Sequence, residues 1–382
     1  MQSTTALPMK ATTNIDNLRA EDQFILACLQ HQQSLPELDL DEDLLMHRMK
    51  YHRVTSMVYQ HLLQIDGLHI LSAKTQAILK EHYQLNIGRN LAISYLVKQI
   101  SKALAENNIE TMTLKGATFI ESFHDYALVR EMSDLDIMVK PHKLYQTLEV
   151  LYGIGFEYTE NFRAKNKIRK WYYLNRANAI PIQSKQSSIL DILVEVHWQL
   201  FSALNHTNWS EKDLWNRANY SSNLGIYYLD PIDTLLHLCA HQCNDLKIYF
   251  SGLVDVDNIV NYWRKEIDWA EVIDRAKSRK VLLHLFNVLR LSHELLNTPL
   301  PYEYFTLCQS FEVKSQSGYN FLIERLFQKE YLESGPEAIS SLNVFRRLEY
   351  SNLWQRLGCE IKLLIPQAVR LSLIYPIGRH LP

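Results

Sequence analysis

Residues 114–140 read LKGATFIESFHDYALVREMSDLDIMVK, and this stretch decides the fold. The apolar run leading into it, IETMTL (109–114), reads as a strand that stops at Lys115 and Gly116. ATFIESFHDY (117–126) has helical spacing, and REMSD then leads into LDIMV (135–139), a short β-rich run. Asp134 and Asp136 stand at the start of that second strand. Carboxylates at i and i+2 on a strand share a face, roughly 6.5–7 Å apart. That spacing can hold two divalent ions about 3.5–4 Å from each other. A glycine between strand and helix lets backbone N–H groups approach a phosphate at the helix N-terminus. Each feature alone has a plainer reading, a solvated strand end for the D-x-D and a turn for the glycine. Their order is what points to phosphate chemistry.

Composition sharpens the glycine. The 382-residue chain has 11, where an average usage of roughly 7% predicts about 27. With 11 prolines as well, a turn-rich sandwich or barrel is excluded and long helices are favoured. At 47% hydrophobic and 21% charged, the chain has ample material for a core. Its 40 basic and 42 acidic side chains give a formal charge of −2, which excludes a nucleic-acid-coating protein and predicts no general DNA binding. The five cysteines are odd in number and widely spaced, so they form no disulfide framework and a reducing compartment is expected. No apolar h-region opens the chain, and the C-terminal apolar stretch is cut by Lys362, Pro366 and Arg370. The expectation is a cytoplasmic protein without a membrane partner.

Outward from the central stretch the pattern is helical, then α/β, then helical. Residues 1–20 read as a loose leader. An N-terminal helical region covers 21–88, where DEDLLMHRMKYHRVTSMVYQHLLQ (41–64) keeps a helical pattern, and an α/β core covers 89–205. Within the core, a helix runs to about Asn107, another spans 141–151, and FEYT (156–159), KWYYL (170–174) and SILDILVEVHW (188–198) are strands. Residues 206–382 read as a C-terminal helical region, with helices at 231–244, 252–264, 269–278 and 280–296.

The last strand completes a constellation. Asp191, Leu193, Glu195 and His197 share a face by period 2, and an acid inside an apolar strand is costly to bury unless it is paired or metal-bound. Glu195 sits deeper than Asp191 and is the third carboxylate, unless it lies on the wet face of an edge strand.

These residues carry a resemblance. The 114–140 stretch resembles the signature of the DNA polymerase β-type nucleotidyltransferase superfamily, a strand, a glycine turn, a helix and a strand bearing D-x-D. More narrowly it is similar to the bacterial uncharacterised nucleotidyltransferase family, which has a K-G strand end, an arginine before the D-x-D and a downstream acid–x–H–W strand. Here those are Lys115-Gly116, Arg130, Asp134/Asp136 and Glu195-Val196-His197-Trp198, with HRVTSMVYQHL before the core and LLHLCAHQ, LVDVDNIV and DWAEVIDRAK after it. One departure is Ala117, where the superfamily usually has a second glycine or a serine. The resemblance implies an α+β polymerase β-like core, a mixed sheet with helices, flanked by helical regions. It also implies NMP transfer from an NTP to a hydroxyl of an unidentified acceptor (small molecule, peptide, protein or RNA), using two Mg2+ ions or Mn2+ in their place. Asp134, Asp136 and Glu195 would be the catalytic and metal-binding residues. Lys115, Gly116, Ala117, Arg130 and Ser133 would bind the nucleotide, and His197 and His241 would line the cleft. A catalytically inactive nucleotide- or protein-binding member of the fold is the rival reading, favoured by Ala117.

Other features read more plainly. From Arg163 to Lys185 seven basic side chains and Trp171, Tyr172 and Tyr173 occur without an acid. That stretch is a solvated hairpin or an RNA-facing one, the latter making an RNA nucleotidyltransferase. His237, His241 and Asp245 fall at helical spacing, for packing rather than zinc. Asp255/Asp257 and the acids of 39–43 read as helix caps.

Overall fold

The computed structural model describes residues 17–163, 177–184, 192–201, 207–244 and 248–327. Three helices open it: α1 (Ala20–Leu29), α2 (Glu42–Tyr51) and α3 (Thr55–Gln64). Asp41 caps α2 as expected, its side chain accepting from the Leu44 N–H. The helical pattern of 41–64 does not continue unbroken. Arg53 takes φ +56° between α2 and α3, a left-handed residue that ends one helix before the next begins.

Helix α4 (Ala73–Glu106) is 34 residues long, opened by Ser72, whose hydroxyl accepts from the Thr75 N–H. It runs unbroken through residues 88 and 89, so the N-terminal helices and the α/β core share one element. After it come β1 (Thr111–Thr113), a 3₁₀ turn (Lys115–Thr118), α5 (Phe119–Ser122), α6 (His124–Val129) and β2 (Asp134–Val139). The single helix expected over 117–126 is thus a 3₁₀ turn and two short helices, broken where Phe123 leaves helical geometry at φ −137° and ψ 60°. Then follow α7 (Leu144–Gly153), β3 (Phe156–Tyr158), α8 (Glu160–Arg163), β4 (Ala179–Ser184), β5 (Leu193–His197), α9 (Glu211–Arg217), β6 (Asn219–Ser221) and β7 (Ile226–Tyr228). The remainder is helical: α10 (Pro231–Asn244), α11 (Phe250–Tyr262), α12 (Trp269–Ser278), α13 (Leu282–Leu296) and α14 (Tyr302–Phe327).

The fold is mixed α+β. Its seven strands form one sheet in the order β3-β4-β5-β2-β1-β7-β6. β2 runs parallel to β5 and β1 parallel to β7, while the other pairs are antiparallel. β2 lies at the centre, which is why it reads as a near-continuous apolar run. Leu135, Ile137 and Val139 enter the main core, whereas Met138 joins Met112, Leu114, Leu200, Leu214 and Leu229 on the other face. By the strand's alternation, Asp134 and Asp136 share that second, smaller face.

Two readings need correction. β4 escaped the sequence pattern because Pro181 sits inside it, and β6 and β7 lie in the stretch read as helical. Each of those two has three residues, too few for a period of two, and Gly225 (φ +66°) turns the chain between them. KWYYL, Asp191, Asp245 and most of the basic 163–185 stretch lie outside the described residues. Among the described residues no helix is long and apolar enough to cross a membrane.

Helix α4 also splints the approach to β2. Asn86 donates to Val129 O at 3.1 Å and Asn90 to Arg130 O at 2.7 Å. Arg89 donates to Met132 O at 2.9 Å and Ser133 O at 2.7 Å. The last carbonyls of α6, which have no intrahelical partner, are satisfied by these side chains. The chain entering the D-x-D is thereby held from a helix some 40 residues upstream.

Candidate active site

β1 ends in the turn that carries Lys115. This residue adopts φ +49°, a conformation that costs energy for a side chain with a Cβ. Its Nζ donates to Asp136 Oδ1 at 2.8 Å, and the same oxygen accepts from His197 Nε2 at 2.8 Å. Asn178 Nδ2 faces His197 Nδ1 at 3.2 Å, so Nδ1 accepts and the proton stays on Nε2. Burial of Asp136 (2% exposed) favours its neutral form, but Lys115 and His197 outweigh it and hold the carboxyl well below the usual carboxylate range. Burial likewise works to lower the His197 pKa, and hydrogen bonding to Asp136 and Glu195 overcomes it, leaving the pKa raised. In both protonation states Nε2 bears hydrogen. Burial opposes the charged form of Lys115 too, and the pull of Asp136 wins, raising its pKa.

Strand order brings the third carboxylate in. β5 lies between β2 and β4, not at an edge, and Glu195 stands opposite Asp136 in the parallel register. Glu195 Oε2 is 3.5 Å from His197 Nε2. Asp134, half-buried beside them, has a raised pKa because of burial and then the negative charges of Asp136 and Glu195, which Lys115 only partly counters. Ser133 Oγ donates to Asp134 Oδ1 at 3.0 Å.

One ligand atom each of Asp136, Glu195 and His197 lies within 4.8 Å of the others, the one such group among the described residues. The free donors are carboxylate oxygens, the set that suits a hard divalent cation such as Mg2+ or Mn2+. His197, its Nε2 protonated, orients Asp136 from behind.

Gly116 has a structural purpose that its position alone did not reveal. A Cβ there would stand 2.4 Å from Arg130 Nη1 and 3.1 Å from Met132 Cγ, so the residue is small to let the guanidinium pass. Arg130 is fixed in turn by Asp255, its Nε and Nη2 each donating at 2.7 Å to one carboxylate oxygen. Tyr126 OH adds a 2.5 Å bond to the same group. Asp255 is therefore not a helix cap; it lies within α11, 2% exposed, as the counter-ion of Arg130. Asp257 is no cap either, since it accepts from Thr298 Oγ1 at 2.6 Å.

Lys115, Gly116, Arg130, Ser133, Asp134, Asp136, Glu195 and His241 all line one cleft of about 330 Å³. Ala117 (3% exposed) and His197 (2%) are buried and stand outside its lining. His237 packs edge-on against Phe201, ring centroids 5.4 Å apart, which fits the packing role expected of it. Sequence reasoning missed Arg53, Glu131, Gln242, Tyr249 and Asp255 as cleft residues, and Asn178 as the partner of His197. Arg53, Glu131, Gln242 and Asp255 all belong to segments already noted for their resemblance, HRVTSMVYQHL, the 114–140 stretch, LLHLCAHQ and LVDVDNIV, and that was the signal available in advance.

Among the described residues, the lining holds five carboxylates (Glu131, Asp134, Asp136, Glu195 and Asp255) against three cationic side chains (Arg53, Lys115 and Arg130). Fully ionised, it is short of positive charge, the condition that draws a metal ion and repels a bare polyphosphate. No curated protein and no solved structure gives a significant match to the chain. The family model described as uncharacterised nucleotidyltransferase matches residues 39–297. That span exceeds half of the chain and contains every residue lining the cleft, and the protein belongs to the uncharacterised nucleotidyltransferase family.

Proposed function

We propose that the protein is a divalent-metal-dependent nucleotidyltransferase with a polymerase β-like catalytic core, moving NMP from an NTP to an acceptor hydroxyl. The observation that carries this reading is the register of β2 against β5, which sets Asp136 opposite Glu195 beside Asp134. Mg2+ or Mn2+ ions held by Asp134, Asp136 and Glu195 would neutralise the triphosphate and activate its α-phosphate, with pyrophosphate leaving.

The chain's own residues do the rest. Lys115 and His197 keep Asp136 ionised at any physiological pH and fix its rotamer. Glu195, with its side chain 30% exposed, is the group in reach of an incoming hydroxyl and takes its proton. Arg130 presents Nη1 toward the Gly116 turn while Asp255 holds its other edge. Because the cleft is acidic, the nucleotide enters as its metal complex. The free, buried Cys28, Cys239 and Cys243 suit work in a reducing cytoplasm.

The test is mass spectrometry of cell extract incubated with purified protein, Mg2+ and labelled NTPs, with pyrophosphate release measured in parallel. Labelled acceptor and pyrophosphate appear with wild type and not with Asp134→Asn. Equal turnover by that variant would overturn the mechanism. A second reading, a nucleotide-binding member without turnover, is favoured by the buried methyl of Ala117, which puts no hydroxyl into the cleft. It predicts metal-dependent NTP binding with no pyrophosphate from any extract.

A further inference from the structure

We infer that Arg53, supplied by the break between α2 and α3, is the cation that grips the β- and γ-phosphates of the metal-bound nucleotide. The inference rests on the nucleotidyl-transfer reading and goes beyond it in assigning the residue that holds the phosphate chain. Among the described residues three cationic side chains line the cleft, and two are committed. Lys115 Nζ is on Asp136 at 2.8 Å, and Arg130 is bound through two donors to Asp255 at 2.7 Å each. Arg53 forms no ion pair with any described residue. Its guanidinium instead lies over the ring of Tyr249, 4.9 Å from the centroid. A cation over an aromatic face is steadied without using up its N–H groups, and a guanidinium can then meet a phosphate with two donors.

The position is built rather than incidental. Arg53 is held at φ +56°, and the two residues before it are anchored at the start of α11. The His52 ring stacks on Phe250 at 3.9 Å, its Nδ1 accepts the Phe250 N–H at 3.3 Å, and its carbonyl accepts the Ser251 N–H at 3.2 Å. Tyr51 meets Tyr249 edge-on at 5.6 Å. Glu131, the neighbouring carboxylate, accepts from the Ser56 N–H at 3.2 Å and feels the charge of Arg53 without forming an ion pair with it. With the ions held at Asp134, Asp136 and Glu195 serving the reacting phosphate, the remaining charge of the chain needs a cation elsewhere on the wall. Among the described residues of the lining, Arg53 is the cation without an ion pair.

The experiment is isothermal titration of the full-length protein with the four Mg–NTPs, the matching Mg–NMPs and Mg–tripolyphosphate. Wild type is compared with Arg53→Gln, Arg53→Lys and Asp134→Asn, and thermal melts establish that each variant is folded. Arg53→Gln is expected to weaken NTP and tripolyphosphate binding by about 10- to 100-fold and NMP binding by less than about twofold. Arg53→Lys should recover part of the loss, since it restores charge without the fork. Unchanged NTP affinity in Arg53→Gln, with binding lost in Asp134→Asn, overturns this inference alone. An equal loss for NMP and NTP also overturns it, placing Arg53 on the nucleoside or the reacting phosphate. Undiminished binding by Asp134→Asn overturns the nucleotidyl-transfer reading instead, and absence of binding by wild type overturns both.

Discussion

Asp136 and Asp233 are both buried aspartates near the start of a regular element, at 2% and 0% exposure, yet their surroundings carry opposite surpluses of charge. Around Asp233 three guanidiniums converge. Arg275 Nη1 reaches it at 2.9 Å and Arg217 Nη2 at 3.0 Å, Arg279 also pairs with it, and Asp230 shares Arg275 at 2.7 Å. The cluster ties α9, α10 and α12 together and has no acid left uncompensated. Around Asp136, Lys115 and His197 saturate one oxygen, while Asp134 and Glu195 add negative charge that Lys115 only partly counters. Two clusters made of the same residue types thus do different work. One is closed and structural; the other, among the described residues, is short of positive charge and could hold a metal ion.

The largest expected effect separates them by activity. Asp134→Asn and Glu195→Gln should each lower pyrophosphate release by roughly 10³ or more, since each removes several kcal/mol of charge stabilisation. Their urea midpoints should stay near that of wild type, because neither side chain anchors an ion pair between elements. Mg2+ should raise the melting temperature of wild type and not that of Asp134→Asn. Asp136 is less clean as a probe, because its loss leaves Lys115 buried without a partner.

Asp233→Asn is the mirror experiment. It takes the carboxylate from the buried Arg279 and leaves Arg217 and Arg275 with Asp230 and Glu271, and should cost about 3–5 kcal/mol in urea unfolding, while whatever remains folded keeps its Mg2+ response. A stable Asp233→Asn protein, or one that loses only the Mg2+ response, breaks the comparison.

Glu131 lies between the extremes, and its pH dependence sharpens the contrast. Burial raises its pKa to about 7, against the hydrogen bonds from Ser56 and Thr55 and the charge of Arg53. The folded state therefore holds this proton between about pH 4.5 and 7 while the unfolded chain has released it, so stability falls as pH rises through that window. Glu131→Gln should flatten the slope and add up to about 3 kcal/mol at pH 8 relative to wild type, as read by denaturant titrations at pH 5 and pH 8. An unchanged slope would show that the carboxylate is already ionised.

The smallest effect concerns the turn. Gly116→Ala puts a methyl 2.4 Å from Arg130 Nη1 and should cost about 1–3 kcal/mol through the displaced guanidinium, with NTP affinity falling alongside. A variant of wild-type stability and affinity would mean that Arg130 has room to move.

Much of the site was legible because its chemistry is local. Asp134 and Asp136 two apart on a strand, Glu195 within an apolar run and Lys115-Gly116 at a strand end are patterns of a few residues, and all of these side chains line the one cleft. The C-terminal half of α4 announced itself through its periodicity and the Asn107 stop, whereas its run back to Ala73 crosses the boundary expected at 88. Three-residue strands such as β6 and β7 have no periodicity to read, and Pro181 disguised β4. Asp255 looked like a cap because acids near helix starts usually are; only Arg130, 125 residues away, reveals its partner.

By itself, then, the chain's sequence determined which strands carry acids, where the glycine turn between strand and helix lies and that helices surround them, since those properties follow from neighbours along the chain. The tertiary structure alone decided which charges meet. It placed β5 beside β2, drew Lys115 and His197 onto one oxygen of Asp136, balanced Arg130 with Asp255 and left Arg53 uncommitted over Tyr249. Electrostatic interaction depends on distance in space and on burial rather than on separation in sequence, and so the difference between a finished ion cluster and an open one appears only in the folded molecule.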